Sequence, residues 1–332
     1  MIIEPKRTSL FWPVVLIGAG VILLLRNLGV LQNFDLQTLL RLWPLILVVI
    51  GLDLIFGRRF PWAGAVIGFL TIGAAVLFLY YAPAFGINPP AGVKTEALST
   101  PLATTDHVEY RVDTSYEPVT ISALSGSRDL FYATIVHRDQ VNFDVAGDTE
   151  KIITLNETST SDRWFSLDLG VAGLKWDIGL APGVPSVINL DGGSGALKID
   201  LEGINLESLN ANLGSGASTI KLPVSSTPYP VGIESSSGSV SLSLPDSTDV
   251  TLKLDTGSGS VNISVPVGSG LQIEVLDDGS GSVNLPVMML TQGDGTYEHD
   301  TWQTANFASA SNRITIQIVN RGSGSINVGW NN

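Results

Sequence analysis

Six Ser-Gly pairs in the second half of the chain are the residues whose type and spacing most resemble a chemical motif. A serine beside a glycine can serve as a nucleophile on a sharp turn, and a glycine-rich turn can hold a phosphate through its backbone. Six equivalent serines cannot each have a general base, however, and the phosphate-binding pattern Gly-x-x-x-x-Gly-Lys does not occur. We therefore interpret the pairs as packing turns. They are Ser194-Gly195, Ser215-Gly216, Ser237-Gly238, Ser258-Gly259, Ser280-Gly281 and Ser323-Gly324.

Other residues that can bind metals or transfer protons are scattered. The three histidines, His107, His137 and His299, are far apart and lack ligand spacing. The acidic turns Asp277-Asp278 and 294–300 do not follow the repeat that binds Ca²⁺ in β-rolls. Cysteine is absent, which excludes thiolate sites. We therefore predict no catalytic, cofactor-binding or metal-binding residue, no cofactor and no enzymatic activity.

The glycines of the six pairs are regularly spaced, which indicates a repeated structural unit. They lie 21, 22, 21, 22 and 43 residues apart, and we interpret the last gap as two repeats with one divergent turn. The residues two, four and six places after each glycine are apolar, except Ser218. Such alternation predicts a strand with one buried face in every repeat. These inward columns are Leu197/Ile199/Leu201, Ser218/Ile220/Leu222, Val240/Leu242/Leu244, Val261/Ile263/Val265, Val283/Leu285/Val287 and Ile326/Val328/Trp330.

Stacked repeats of this kind predict a solenoid of the β-helix type, with 21–22 residues per coil and a dry interior. Outward residues three places after each glycine are mostly small and polar, and we expect them to form a ladder of hydrogen-bonding side chains. The residues five places after each glycine show no cluster of acids and bases, which disfavours a polysaccharide-active enzyme. The first ladder comprises Lys198, Thr219, Ser241, Asn262, Asn284 and Asn327, and the second column comprises Asp200, Lys221, Ser243, Ser264, Pro286 and Gly329.

The first part of the chain is apolar and predicts transmembrane α-helices. We place a transmembrane region at 1–84, with three spans at about 10–25, 42–57 and 61–84. A linker at 85–105 follows, then the β-solenoid at 106–332, of which 106–157 is its capping part. The fold class is thus N-terminal transmembrane helices plus an all-β C-terminal solenoid.

The basic residues near the spans predict the orientation in the membrane. Lys6, Arg7, Arg58 and Arg59 would lie on the cytoplasmic side, so three spans place the solenoid outside the cell. A fourth span would reverse this orientation. We expect a multi-pass protein of the cell membrane whose C-terminal domain is extracytoplasmic.

The charge of the chain is divided unevenly and excludes one class of partner. Six of the 18 basic and three of the 31 acidic residues precede residue 94, so the first part carries +3 and the remainder −16. An acidic body repels phosphate groups, and no basic patch with interleaved aromatic residues occurs. We therefore expect no nucleic-acid partner.

Two parts of the chain resemble a known family. The segments Trp176–Leu180, Leu190–Leu201, Leu213–Pro223 and Arg313–Val328 resemble the toast-rack domain at the C-terminus of LiaF-like proteins. Trp12-Pro13, followed by Trp43-Pro-Leu-Ile-Leu-Val-Val-Ile-Gly51, resembles the LiaI/LiaF-like transmembrane region. The resemblance implies a membrane-bound, non-enzymatic bacterial protein of the cell-wall-antibiotic response, in a family whose members restrain a sensor kinase.

Function follows from the anchor, the solenoid and this resemblance. We expect a cell-envelope membrane protein with a sensory or regulatory role in the cell-wall stress response. A surface adhesion or scaffold module is the alternative, and a polysaccharide-active enzyme is the third hypothesis. The expected partners are the lipid bilayer and an envelope sensor kinase, another membrane protein or a cell-wall polymer.

Overall fold

A computed structural model describes residues 93–158, 173–276, 279–286, 289–292 and 300–331, together with six single helical positions before residue 93. The three predicted transmembrane spans lie outside the described residues apart from those single positions. Within what is described, no helix has the length and apolar character needed to cross a membrane. The described residues from 93 onward belong to the second of two compact units in the chain.

Twenty-one β-strands make up the described part of this unit. They are β1 (Lys94–Pro101), β2 (His107–Thr114), β3 (Val119–Ala123), β4 (Asp129–His137), β5 (Gln140–Ala146), β6 (Glu150–Thr158), β7 (Lys175–Leu180), β8 (Ser186–Gly192), β9 (Leu197–Asp200), β10 (Leu206–Asn212), β11 (Ser218–Lys221), β12 (Tyr229–Ser235), β13 (Ser239–Ser243), β14 (Val250–Thr256), β15 (Ser260–Pro266), β16 (Gly270–Val275), β17 (Ser282–Asn284), β18 (Met289–Gln292), β19 (Thr301–Thr304), β20 (Arg313–Asn320) and β21 (Ser325–Asn331).

The strands form two long sheets. The first sheet has ten strands in the order β1-β4-β7-β3-β9-β11-β13-β15-β21-β17, and the second has eleven in the order β18-β19-β16-β20-β14-β12-β10-β8-β2-β6-β5. From β8 to β17 the chain alternates between the sheets, and neighbouring strands from β8 to β15 are parallel within each sheet. Each coil therefore contributes one strand to each sheet, and the strand predicted after each glycine is the one in the first sheet.

The interior between the sheets is filled by the predicted inward columns. Ile220, Leu242 and Ile263 are at most 2 % exposed and stand in register on adjacent strands. The burial pattern of β13 and β15 alternates between exposed or partly buried and fully buried residues. The predicted register is therefore confirmed, and burial of aliphatic side chains at about 25 cal/mol per Å² is the main force that holds the coils together.

The 43-residue gap between the last two glycines has a different cause from the one predicted. Among the described residues of the gap, no divergent repeat stacks between the two coils. Instead β20 lies between β14 and β16, and β21 lies between β15 and β17, so the coil latest in sequence is inserted between two earlier coils. The gap also contains the antiparallel pair of β18 with β19 at the end of the second sheet. Periodicity reports the length of a coil but not the order in which coils stack, which explains the error.

The opposite end of the sheets repeats this interleaving. The coil of β2 and β3 lies between β8 and β9 on one side and β6 and β7 on the other. Antiparallel strands β1, β4 and β5 occupy this end.

The predicted linker at 85–105 is wrong in its second half. Lys94–Pro101 is strand β1, paired along its whole length with β4. Its residues are mostly exposed or half-buried because β1 is the edge of the first sheet. An edge strand of polar residues lacks the apolar alternation by which a strand is recognised in the sequence.

The glycine turns are required by close stacking of the coils. A Cβ atom on Gly216 would lie 1.8 Å from the carbonyl oxygen of Gly195, and one on Gly259 would lie 1.8 Å from that of Gly238. Gly214, at the start of the same turn as Gly216, has a φ of 53°, which side chains disfavour. The backbone N–H of Ser258 donates to the carbonyl of Ser236 at 2.8 Å, so the turns also bond to one another.

Candidate contact face of the second sheet

The outer face of the second sheet carries rows of polar side chains. Alternate residues of each strand point outward, and the parallel register aligns equivalent positions of neighbouring strands. One such row crosses β2, β8, β10, β12 and β14. We name its four carboxylates the acidic row, and Asn212 lies between the second and third of them. The acidic row comprises Asp113, Asp191, Glu234 and Asp255, all exposed.

A shallow groove of about 690 Å³ runs over this face. It is lined by residues of β6, β2, β8, β10, β12 and β14, with Val319 of β20 at one end. The four carboxylates of the acidic row lie in it together with two cationic side chains, Arg111 and Lys253. The charged side chains of the groove therefore carry a negative excess.

An ordered hydrogen-bond ladder fixes the side chains next to the acidic row. Arg111 Nε donates to Glu109 Oε1 at 2.7 Å, and Asn189 Nδ2 donates to the same oxygen at 2.8 Å. Asn210 Nδ2 continues the ladder by donating to Asn189 Oδ1 at 3.1 Å. The hydrogen bond from Arg111 holds the pKa of the Glu109 carboxyl below its usual value. This carboxylate is thus already neutralised by the protein.

The acidic row differs, because its carboxylates form no ion pair with a described cation, including Arg111 and Lys253 in the same groove. None of the four carboxylates has a hydrogen bond or an ion pair to the part of the chain that the structure describes. Burial raises the pKa of Asp113, and the negative charge of Asp191 on the adjacent strand raises it further. Like charges directly opposite each other on neighbouring strands are destabilising.

A buried pair of carboxyl groups lies beyond the end of the acidic row. Glu117 occupies the turn position that glycine holds in later coils, since a Cβ on Gly195 would lie 2.1 Å from the carbonyl oxygen of Glu117. The side chain of Glu117 is fully buried, and its Oε1 accepts no hydrogen bond from described residues. Burial, followed by the charge of Glu117, raises the pKa of Glu157 to about 8. Glu157 therefore favours a protonated state at neutral pH.

The residues singled out for possible chemistry in the sequence do not meet. His107 Nε2 lies 2.9 Å from Glu207 Oε2, whereas His137 is buried and its Nδ1 lies 2.6 Å from the carbonyl oxygen of Asp139. His299 and most of the acidic turn 294–300 lie outside the described residues. Over the described ranges, no three His, Asp or Glu side chains are grouped so that they could hold a metal ion.

The outer face of the first sheet carries the predicted ladder in part. Asn284 Nδ2 donates to Asn327 Oδ1 at 2.6 Å, and Asn327 Nδ2 donates to Asn262 Oδ1 at 2.9 Å. In the neighbouring column, Lys221 pairs with Glu202 and Asp200 accepts the backbone N–H of Glu202. These polar groups are engaged with one another, as in a structural surface.

The sequence analysis missed the acidic row, although the sequence contains it. The inward and outward columns described above run forward from each glycine, and their residues belong only to strands of the first sheet. Four residues before the glycines at 195, 216, 238 and 259 stand Asp191, Asn212, Glu234 and Asp255. Asp113 stands four residues before Glu117, which replaces the glycine in the first coil. Counting backward would have found the row.

Comparison with solved structures gives one likeness in fold. A candidate cell adhesion protein from Clostridium sporogenes is 19 % identical, with a TM-score of 0.51 over 72 % of this chain and all of that chain. Candidate adhesins from Bacteroides fragilis and Parabacteroides distasonis are 10 % and 12 % identical, with TM-scores of 0.28 and 0.27. Each aligns with 72 % of this chain, and with 98 % and 97 % of its own chain respectively. No curated protein matches the sequence.

Two family models match the chain in succession. Residues 10–55 match the LiaI-LiaF-like transmembrane region, which indicates association with a membrane. Residues 93–242 match the N-terminal domain of toast_rack, DUF2154, and this range covers the parallel coils from β2 to β12. The resemblance seen in the sequence is therefore confirmed: the chain joins a region similar to the LiaI-LiaF-like transmembrane region to a region similar to the N-terminal toast-rack domain.

Proposed function

We propose that this protein is a non-enzymatic membrane protein of the bacterial cell envelope, with a sensory or regulatory role in the cell-wall stress response. Its toast-rack domain would act by contact with another molecule. The observation that carries this proposal is the groove of about 690 Å³ on the second sheet, where four exposed carboxylates have no partner in the described chain. A surface whose strands are ordered but whose negative charge is not neutralised is suited to binding another molecule.

The transmembrane region supports a role that depends on holding the domain next to the membrane. Anchorage would hold the domain beside other membrane proteins and raise its effective concentration for them. The partner we favour is an envelope sensor kinase or another membrane protein, with a cell-wall polymer as the alternative. We also propose three spans and an extracytoplasmic domain, on the basis of Lys6, Arg7, Arg58 and Arg59 on the cytoplasmic side.

A surface adhesion or scaffold module is the second candidate function. The likeness in fold to the candidate cell adhesion protein from Clostridium sporogenes favours it. In that case the domain would bind outward, to a surface or to a neighbouring cell, and signalling inside its own cell would not depend on it.

Deletion and complementation in the native host test the proposal. We expect loss of the protein to alter growth and stress-response transcription under cell-wall antibiotics, and the full chain to restore both. A secreted form that lacks residues 1–92 should not restore them at the native expression level. Restoration by the secreted form, or an unaltered response to antibiotics in the deletion strain, would favour the adhesion hypothesis.

Protease accessibility settles the orientation. A protease added to intact cells with a permeable wall should digest the toast-rack domain if it is extracytoplasmic. Digestion only in inverted membrane vesicles would show that the domain faces the cytoplasm and that the number of spans is even.

A further inference from the structure

We propose that the groove of the second sheet binds a basic, extended polypeptide segment of a partner protein, laid across the strands along the acidic row. This inference rests on the proposed function, because it assigns a chemistry to the partner of the same face. It commits the face to one kind of occupant, and the reasons are charge, spacing and hydrogen-bonding capacity.

The charge argument comes from a contrast between acids on the same domain. Several acids elsewhere on its surface are neutralised locally: Asp249 by Arg313 at 2.8 Å, Asp177 by Lys175 at 2.6 Å, and Glu109 by Arg111 at 2.7 Å. The acidic row brings four carboxylates into one groove, and none of them has such a cation among the described residues. A basic partner would therefore supply the positive charge that the acidic row lacks.

The spacing argument comes from the register of the strands. Asp113 and Asp191 are directly opposite each other on β2 and β8, and Glu234 and Asp255 are directly opposite on β12 and β14. Neighbouring strands are about 4.8 Å apart, so the row from β2 to β14 is about 19 Å long. An extended chain rises about 3.3 Å per residue, and a segment of about six residues spans this length. Binding would relieve the repulsion within each pair of carboxylates.

Hydrogen-bonding capacity also fits a polypeptide. Asn212 lies in the row between Asp191 and Glu234, and Asn210 lies beside it, so the groove offers amide groups as well as carboxylates. The Oδ1 atom of Asn156, which also lines the groove, is buried and accepts no hydrogen bond from the described residues. A segment with ammonium, guanidinium and backbone N–H groups supplies donors for these acceptors.

Other classes of ligand fit this face less well. Anionic wall polymers and anionic lipid headgroups would be repelled by the acidic row. The residues that line the groove include no aromatic side chain on which a neutral sugar ring could stack. A single divalent cation needs three or more clustered ligands, and the described side chains contain no such group.

Binding of a defined peptide tests the inference. The full-length protein in nanodiscs of zwitterionic lipid is titrated into a fluorescent octapeptide of alternating Lys and Thr, with a peptide of alternating Glu and Thr as the reference. We expect the basic peptide to bind and the acidic one not to bind. We also expect binding to weaken as the salt concentration rises, because exposed charges are screened.

A matched pair of variants separates the row from the net charge. The double variant Asp191→Asn with Glu234→Gln removes two charges of the row, and Asp177→Asn with Glu202→Gln removes two charges elsewhere. We expect the first to weaken binding about tenfold, as for the loss of two exposed ion pairs, and the second to change it less than twofold. Circular dichroism of both variants confirms that the fold is retained.

Three outcomes would overturn the inference. They are equal weakening in both double variants, absence of binding by the basic peptide, and displacement of that peptide by soluble peptidoglycan fragments at lower concentration. None of them bears on the proposed function, whose test is the response of the deletion strain to antibiotics. If the deletion alters that response while the peptide fails to bind, the proposed function still stands, and only the proposal of a basic partner for the contact face is rejected.

Discussion

The carboxyl groups of Glu157 and Glu117 lie close to each other at the turn of the first coil. Glu117 occupies the position where later coils have glycine. The side chain of Glu117 is fully buried, and Asp113 adds a third negative group nearby. Ser115 acts in the opposite direction to these acids, because its polar side chain lowers the pKa of Glu157.

The first prediction is a pH dependence of stability. Burial and the charge of Glu117 raise the pKa of Glu157 to about 8, above its value of about 4.3 in an unfolded chain. Between these two values the folded protein binds more protons than the unfolded one, so stability falls as pH rises through this range and is lowest above pH 8. Glu157→Gln should remove this dependence and stabilise the protein at pH 9 by about 1–2 kcal/mol, a discounted figure for a partly exposed group.

Urea unfolding at pH 5, 7 and 9 measures this effect. Glu150→Gln is the control, because Glu150 is an exposed acid on the same strand. A Glu157→Gln variant as sensitive to pH as the wild type would show that Glu157 is not the source of the pH dependence.

The second prediction concerns the stacked core. Leu242 is 1 % exposed and lies between Ile220 and Ile263 on the neighbouring strands. Leu242→Ala should cost about 2–5 kcal/mol in the free energy of unfolding, because it leaves a cavity between coils that cannot collapse independently. Ser241→Ala, at an exposed position of the same strand, should change stability by less than about 0.5 kcal/mol. Equal midpoints for the two variants in a denaturant titration would contradict the register.

The third prediction separates the glycine of a turn from its serine. Gly259→Ala should destabilise the protein by more than about 1 kcal/mol, because the added Cβ would lie 1.8 Å from the Gly238 carbonyl oxygen. Ser258→Ala keeps the backbone N–H that bonds to Ser236 and should leave both stability and cellular activity intact. Thermal unfolding and the antibiotic response give the two measurements. Loss of activity in a folded Ser258→Ala protein would revive the nucleophile hypothesis.

The fourth prediction is a stabilising substitution. Ser218 is 2 % exposed in the inward column, where it stands in register with Leu197 and Val240, and its hydroxyl has no partner among the described residues. Ser218→Val removes a buried unsatisfied group and should raise stability by about 1 kcal/mol or more. Ser241→Val is the control for the intrinsic preference of valine for strands, since Ser241 is exposed on the adjacent strand. A lower denaturation midpoint for Ser218→Val would mean that the column has no room there.

The repeated coil could be predicted accurately from the sequence, whereas the two ends of the solenoid could not, and both results have physical reasons. Burial imposes a strict alternation on residues such as Val240 and Leu242, and close stacking imposes glycine at 238 and 259, so both leave a periodic trace. Edge strand β1 is under neither constraint, and its residues resemble a linker. The acidic row is periodic but faces solvent, so only knowledge of the second sheet distinguishes it from ordinary surface acids.

The insertion of the coil of β20 and β21 has a consequence for biosynthesis. Among the described strands, β17 pairs only with β21, and β16 is connected to the parallel stack only through β20. A chain that emerges from the ribosome or the translocon with its N-terminus first therefore cannot connect β16 and β17 to the parallel stack until β20 and β21 have appeared. Premature termination anywhere in between would release a protein with two open coil surfaces, which quality-control proteases can recognise. The toast-rack domain can therefore be completed only after translation has passed β21.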